Sequence, residues 1–472
     1  MNGKAINFIK NFSYTLTSNL ISLIVSTLVV LVIPKLIGIE EYGYWQLYLF
    51  YSSYAGFLHF GWSDGIYLRY GGKKYKELNK RMFFSQFFMM VILQTSIAVL
   101  LFCISIFLLK NQNKIFILQM VAINLLIVNT LSVLLLTLQA TNKIKEYAKI
   151  TMISRIIYIL LVVIFLLTGF RAYRLMIISD LIGKLMSLIY AMYCCRDIVF
   201  RKISTFYFSF REAFENIKVG ANLMFANIAS MLIIGVVRFG IERTWDVSTF
   251  GKVSLTLSVS NLIMLFINSV GIIIFPILRR TEREKLPVIY VTMRDFLMIV
   301  LLGTLIIYFP LRNILSYWLP KYADSLVYMA LLFPISVYEG KMSLLINTYL
   351  KTLRKEKLML NINLITLALS IIFTISATIV FKNLNFAIMS IVILLIFRCF
   401  LAEMFLSKIL KISVYKDMLL ELVMIIIFIL SGWLINSWFS ILIYLMSYVM
   451  YLIIKRMDIT DTVKNLKSLM NS

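Results

Sequence analysis

The sequence predicts an all-α polytopic membrane protein of about fourteen transmembrane helices. Three observations carry that expectation. Hydrophobic residues make up 61% of the 472 residues and charged residues only 15%, whereas a soluble chain is about half apolar. Apolar runs of about 20 residues, the length that crosses a bilayer as a helix, recur from end to end. The connections between them are short and basic, so almost no chain is left over for a soluble domain.

Taken in order, the first span, 12–36, is a Leu/Ile/Val run carrying Thr15, Asn19, Ser22 and Ser26. Their steps of four, three and four residues put them on one helix face. A face that polar belongs against another helix or a cavity. The second span, 42–68, is aromatic and holds His59, the one histidine, which cannot build a metal cluster alone and is better read as satisfied or cavity-facing. Spans 82–109, 115–138, 150–170 and 175–195 follow. In residues 196–218, Phe200, Ile203, Phe206, Phe210, Phe214 and Ile217 recur at three- and four-residue steps, predicting an amphipathic helix on the membrane surface. Spans 219–241, 253–278, 295–311, 326–349, 358–381 and 386–407 form a second set. Spans 417–436 and 438–454, separated only by Ile435–Phe439, close the series. The C-terminal tail repeats the amphipathic pattern more weakly at Ile459, Val463, Leu466 and Met470.

The net charge of +25 is distributed by topology. With the N-terminus inside, the inner segments hold roughly three Lys or Arg for each one in the outer loops, so both termini are expected in the cytoplasm. Anionic lipid headgroups, rather than nucleic acid, are the partner this basic excess suits. The opening "MNGKAINFIKNF" runs into a full-length span with no small-residue cleavage site. Cys103, Cys194, Cys195 and Cys399 fall in or beside apolar spans and form no CxxC pair. GxxxxGK[ST] and HExxH patterns are absent, so neither a cofactor nor bond-making chemistry is expected, and no catalytic residue is nominated.

The first and seventh spans align at an offset of 208 residues, placing Lys10 on Lys218, Asn19 on Asn227 and Ser22 on Ser230. In the loop that follows, Tyr42 falls on Phe250 and Gly43 on Gly251, and Arg69 falls two residues short of Arg279 and three short of Arg280. Six spans separate the copies, an even number, so both insert in the same orientation. This predicts two six-helix lobes in a parallel pseudo-twofold repeat plus an appended helix pair. The expected domains are an N-lobe at 1–195, the linker at 196–218, a C-lobe at 219–407, the pair at 408–454 and a tail at 455–472. Transporters place their substrate site between such lobes.

Charges inside the spans mark the candidate path. Lys184, Glu339, Lys341 and Arg398 are the deepest, and a lone charge at the bilayer centre costs about 2.5–3.5 kcal/mol. Asp180 and Lys184, one turn apart, can pair; Glu339 and Lys341, two residues apart, point to nearly opposite sides. Lys341 and Arg398 are expected to offer fixed positive charge at mid-membrane, with Glu339 holding or balancing it. Arg238, Arg155, Asp64 and Glu403 lie nearer the span ends, where long side chains can snorkel. Interhelical ion pairs that only fix packing are the competing reading for each of these residues.

"IPKLIGIEEYGYW" (Ile33–Trp45) and "GWSDGIYLRYGGKKYKELNKR" (Gly61–Arg81) resemble the first outside turn and the end of the second helix in Wzx-like O-antigen and capsule flippases. These belong to the multidrug/oligosaccharidyl-lipid/polysaccharide (MOP) exporter superfamily. The resemblance is specific over the first 80 residues and extends along the chain in helix count and order. It implies an oligosaccharide repeat unit on undecaprenyl pyrophosphate as substrate, moved from the cytoplasmic to the outer leaflet of a bacterial plasma membrane. Alternating access through a cationic cavity is implied with it, and so is company with polysaccharide polymerase and chain-length machinery. Lys341, Arg398, Lys184, Arg238 and Arg155 are the candidate cations, with Glu339, Asp180, Asp64, Asn19 and Ser22 beside them. A cation-coupled drug exporter, or another lipid or solute exporter of the superfamily, is the alternative. Against drug cations, residues 12–36 contain no Asp or Glu. A membrane-embedded polymerase or glycosyltransferase would need a large outer loop, which the sequence lacks.

Overall fold

The computed structural model describes the backbone of residues 3–280, 283–435 and 439–461, and their side chains except at 3–12, 15–16, 263, 265–280 and 283. Every regular element among the described residues is helical. The chain divides into two compact units, Met1–Ile228 and Ala229–Ser472.

In the first unit α1 (Gly3–Leu36) is the first span, and α2 (Ile39–Ala55) with α3 (Trp62–Tyr70) is the second. The third to sixth spans are α4 (Lys80–Leu108), α5 (Gln112–Ala140), α6 (Ile144–Leu167) and α7 (Tyr173–Cys194). Asparagines set two of the starts. The Asn79 side chain accepts from the Met82 N–H (3.2 Å), and that of Asn111 from the N–H groups of Asn113 and Lys114, satisfying donors that a helix leaves open at its beginning. Of the apolar stretch of α5, 67% is buried in protein, against 11% in α4 and 17% in α6. The fourth span is therefore the centre of this unit, and α4 and α6 turn most of their apolar surface outward.

The second span is not continuous. After α2 comes a 3₁₀ turn, Gly56–His59, then Phe60 and Gly61 in the left-handed region (φ 55° and 80°). Such a break frees carbonyls that lipid cannot satisfy. Neighbouring amides do so instead: Gln94 Nε2 donates to the Leu58 carbonyl (2.9 Å), and Asn129 Nδ2 to the Ala55 carbonyl (3.2 Å) and to Gln94 Oε1 (2.8 Å). His59 is satisfied too, its Nδ1 accepting from the Gly61 N–H. Beyond the break, Trp62, Ile66, Phe83, Phe87, Met90 and Leu134 belong to one buried cluster.

The linker departs from the expected surface helix. It consists of α8 (Arg196–Val199), a 3₁₀ turn at Ile203–Thr205 and an irregular stretch, and α9 (Phe210–Thr244) begins inside it. Hydrogen bonds to α4 explain the loss of helix: Arg81 Nε donates to the Thr205 carbonyl, the Tyr207 N–H to Ser85 Oγ, and Gln86 Nε2 to the Ser209 carbonyl. Phe206 packs on Phe84, while Phe200, Ile203, Phe210 and Phe214 stay exposed. Asp197 anchors the segment by accepting from the Tyr75 hydroxyl (2.7 Å) and pairing with Lys80 (3.0 Å). Partial burial would raise its pKa, but the Tyr75 and Lys80 bonds outweigh burial and hold its carboxyl below the ordinary range.

The start of α9 crosses α3 through glycine. A Cβ on Gly65 would overlap the Asn216 carbonyl, and one on Gly220 the Gly61 carbonyl. Arg69 closes the crossing, donating to Glu212 (2.7 Å), Asn216 (2.6 Å) and Glu215 (2.9 Å).

In the second unit the remainder of α9 is followed by α10 (Val247–Arg280) and by α11 (Leu286–Thr304) with α12 (Tyr308–Trp318), the seventh to ninth spans. The tenth is assembled from pieces: a 3₁₀ stretch Pro320–Tyr328, α13 (Met329–Leu332), α14 (Ile335–Lys341), a π-helical turn Met342–Ile346 and α15 (Asn347–Thr352). Pro334, which has no N–H to donate, lies at its first break. It is deeply enclosed, 89% of its apolar stretch lying inside protein. The last four spans are α16 (Glu356–Ile375), extended by a π-turn at Ser376–Val380, α17 (Leu384–Leu410), α18 (Tyr415–Leu434) and α19 (Phe439–Ile454). Among the described residues, eleven helices are long and apolar enough to cross a membrane by length and composition alone. Val463, Leu466 and Met470 of the expected tail pattern, and the side chains of Thr15, Arg279 and Arg280, lie outside the described residues.

The glycine crossing yields a stability test. Gly65→Ala should destabilise the purified protein by about 1–3 kcal/mol, because backbone has to move. Gly56→Ala, where a methyl meets nothing within 4 Å, should stay within about 0.5 kcal/mol of the wild type. Thermal unfolding in detergent, followed by tryptophan fluorescence, distinguishes the two.

Candidate functional site: mid-span cations on the sixth helix of each unit

In the first unit Lys184 projects from the middle of α7. Its Nζ lies 2.5 Å from Asp180 Oδ2, one turn earlier, and 2.9 Å from Asn124 Oδ1 on α5. The Tyr48 hydroxyl of α2 donates to the same Asp180 oxygen (2.8 Å). Behind it Trp45 stacks between Tyr48 and Tyr158, with centroids 5.6 and 6.0 Å away. The Lys184 side chain keeps 22% exposure and that of Asp180 10%, so the pair is held but not sealed. On α1, Asn19, Ser22 and Ser26 are half-buried. Arg155 on α6 is exposed, and Asp64 on α3 is half-buried with His59 Nε2 at 3.8 Å.

In the second unit Arg398 takes the corresponding place on α17. Each of its nitrogens donates one bond: Nε to Asn363 Oδ1 on α16 (2.9 Å), Nη1 to Glu339 Oε1 on α14 (2.7 Å), and Nη2 to Ser230 Oγ on α9 (2.8 Å). The guanidinium side chain is 1% exposed and that of Glu339 23%. Glu339 thus balances Arg398. Arg238, on α9, donates to Ser254 (3.0 Å) and lies over the Phe250 ring at 5.3 Å.

Lys341 stands elsewhere than the sequence suggested. Its Nζ is 2.5 Å from Glu403 Oε2 and 2.7 Å from Glu421 Oε2. Arg294 binds the other oxygens of both carboxylates (Nε–Glu403 Oε1 2.6 Å, Nη2–Glu421 Oε1 2.5 Å), and Tyr290 donates to Glu403. All four charged side chains are at most 1% exposed. Two cations and two carboxylates, with every oxygen of those carboxylates bonded, make a buried cluster joining α11, α14, α17 and α18, and Arg294 Nη1 extends it to Asp417 (3.3 Å) and Asp295 (3.7 Å). Glu403, expected near a span end where it could snorkel, is fully enclosed here because Arg294 and Lys341 meet it within protein. A second tier continues outward: Lys455, just past α19, contacts Asp295 (2.9 Å), Asp417 (2.6 Å) and Asp458 (2.9 Å). Burial alone would lower the Lys455 pKa, but Asp417, Asp458 and Asp295 outweigh it and raise it.

Sequence reasoning nominated the charges and overlooked the neutral groups that hold them: Tyr48, Asn124 and Asn363, with Ser230 entering only as the repeat mate of Ser22. Asn124 and Asn363 each interrupt an apolar run, and that was the available signal. Arg294, counted as a loop residue, and Glu421 were overlooked as well.

One common pattern now stands in both units. The sixth span carries a cation near its middle, and the buried fourth span supplies a partner: Asn124 of α5 to Lys184, Glu339 of α14 to Arg398. Fourteen spans with this charge placement define a multi-pass membrane protein built like a MOP transporter. Structural likeness supports that class. The fold matches a lipid II flippase, MurJ, in an inward closed conformation, with a TM-score of 0.68 at 16% identity over 96% of this chain and 100% of that one. It also matches a multidrug resistance MATE family transporter of the MOP superfamily in an inward-facing conformation (TM-score 0.63, 12% identity, 84% and 95% covered). A MOP superfamily transporter from Pyrococcus furiosus is a third (TM-score 0.50, 15% identity, 86% and 94% covered). No curated protein matches the sequence. Residues 8–282 match the family described as "Polysaccharide biosynthesis protein", and the chain belongs to that family.

Removing one member of the closed cluster leaves a buried charge unpaired, which typically costs about 3–5 kcal/mol. Lys341→Met should therefore lower the unfolding temperature sharply, as should Glu403→Gln. The double variant should recover much of the loss. A Lys341→Met protein as stable as the wild type would show that the cluster does not hold these helices together.

Proposed function

We propose that this protein flips an undecaprenyl-pyrophosphate-linked oligosaccharide repeat unit from the cytoplasmic to the outer leaflet of the bacterial plasma membrane by alternating access, with both termini in the cytoplasm. The observation that carries the reading is the pair of mid-span cations, Lys184 and Arg398, in a member of a polysaccharide biosynthesis family. A diphosphate bearing sugars cannot cross hydrocarbon unaided, while its polyprenyl tail can remain in lipid. The carrier's task is to supply positive charge and hydrogen bonds at depth, where they are stronger than in water. Arg155, expected near a span end, lies exposed and midway along α6, and it suits the same path, because a charge facing lipid there is costly. Arg238 is a further candidate. Lys341, with its ammonium closed off by two carboxylates, is assigned to packing in this reading.

The test is a leaflet assay in proteoliposomes with a fluorescent undecaprenyl-pyrophosphate oligosaccharide and an impermeant quencher. Wild type should exchange the lipid. Arg398→Ala and Lys184→Ala should each slow exchange by about tenfold or more, since losing a charge-assisted hydrogen bond costs roughly 1.5–3 kcal/mol. Exchange untouched in both folded variants would leave a flippase without these cations. No exchange by wild type under any ion gradient, together with dye efflux, would replace the flippase by a drug exporter.

A further inference from the structure

Among the ion-paired cations of the second unit, Lys341 and Arg398 differ in construction, and the difference is informative. Lys341 shows what packing demands: each oxygen of the two carboxylates it meets is bonded, and neither they nor Lys341 exceed 1% exposure. The Arg398 pair meets neither condition. Glu339 uses Oε1 alone, and its side chain is 23% exposed while the guanidinium behind it is 1% exposed. Among the described residues Arg398 makes three hydrogen bonds, one from each nitrogen, out of five N–H donors arranged as a fork for bidentate oxyanions. Asn363 and Ser230 fix the guanidinium from two sides, so it stays in place when the third partner leaves. That third partner sits on the least regular span. Glu339 lies between the break at Pro334 and the π-turn at Met342–Ile346, and such turns inside helices are frequent at functional sites.

From this we infer that Glu339 is an internal stand-in for the substrate's anion: its carboxylate occupies the Arg398 position that a diphosphate group takes on loading, and loading expels it into the path. The inference rests on the function proposed above and adds a mechanism to it. In the empty carrier Glu339 neutralises a buried cation that would otherwise be unpaired at mid-span. In the loaded carrier the diphosphate does so. On release Glu339 returns, which prevents a bare guanidinium from retaining the product. Glu339 therefore weakens apparent binding and speeds unloading.

The experiment uses full-length protein in lipid nanodiscs and a short-chain polyprenyl diphosphate as probe, with inorganic pyrophosphate in parallel. If Glu339 fills the site nine-tenths of the time, Glu339→Gln should bind the polyprenyl diphosphate about tenfold more tightly, yet flip lipid-linked substrate more slowly than wild type. Gln keeps an oxygen for Arg398 and leaves out only the charge. In wild type, carbodiimide labelling of Glu339, read by mass spectrometry, should rise several-fold on adding the diphosphate, and in Arg398→Gln it should be high from the outset. The labelling arm needs no Glu339 variant and decides the matter even if Glu339→Gln fails to fold. A response to the polyprenyl diphosphate at concentrations where inorganic pyrophosphate does nothing assigns the site to the lipid. Equal responses assign it to diphosphates generally, with the exchange upheld. Unchanged or weaker binding by Glu339→Gln, or labelling indifferent to the diphosphate, overturns the inference. If wild type still exchanges labelled lipid, only the role of Glu339 falls; if it neither binds nor exchanges, the flippase reading falls with it.

Discussion

The cost of an ionised group in hydrocarbon governs this molecule. A charge at the bilayer centre costs at least about 2.5–3.5 kcal/mol, so each deep cation is found with a partner or at an exposed position. The structure meets that constraint in three ways. Lys341 and Arg294 share two carboxylates whose every oxygen is bonded, with all four side chains at most 1% exposed. Lys184 and Asp180 pair along one helix, with Asn124 and Tyr48 steadying them. Arg398 is clamped by two neutral groups and one carboxylate that stays partly open. The same electrostatic rule thus produces a packing element in one place and an accessible polar station in another. What separates them is whether every oxygen is used.

The same low-polarity surroundings govern the backbone. Spans two and ten leave the α-helical path, and each does so inside protein rather than against lipid. For the second span, Gln94 and Asn129 take over the freed carbonyls of Leu58 and Ala55. For the tenth, 89% of the apolar stretch is enclosed by neighbouring helices. These irregular segments lie next to the ionisable groups: His59 and Asp64 flank the first break, and Glu339 and Lys341 lie within the second. Breaks of this kind weaken local helical cooperativity where a side chain has to change partner, which is the property the proposed exchange at Glu339 requires.

The internal repeat acquires chemical content at this level. Matching Ser22 with Ser230 on sequence alone was a weak alignment, since single matches are cheap among apolar helices. In the structure Ser230 bonds Arg398, and in both units a sixth-span cation meets a fourth-span partner. The cation is the shared feature; its counter-group has diverged, Asp180 from the same helix in one unit and Glu339 from a neighbouring helix in the other.

The sequence by itself determined the class and the number and order of the spans, because hydrophobic length and loop composition are local properties. It also determined the Asp180–Lys184 pair, whose members are one turn apart on one helix. Partners distant in sequence were not legible. That Glu339 faces Arg398, 59 residues away, while its near neighbour Lys341 turns to Glu403 and Glu421, was decided only when α14, α16, α17 and α18 packed. Residues 196–218 carried a helical pattern, yet the tertiary bonds from α4 to the Thr205 and Ser209 carbonyls held much of that stretch out of helix. Periodicity reports which face a helix would bury; only packing supplies the competing hydrogen bonds and the distant counter-charges.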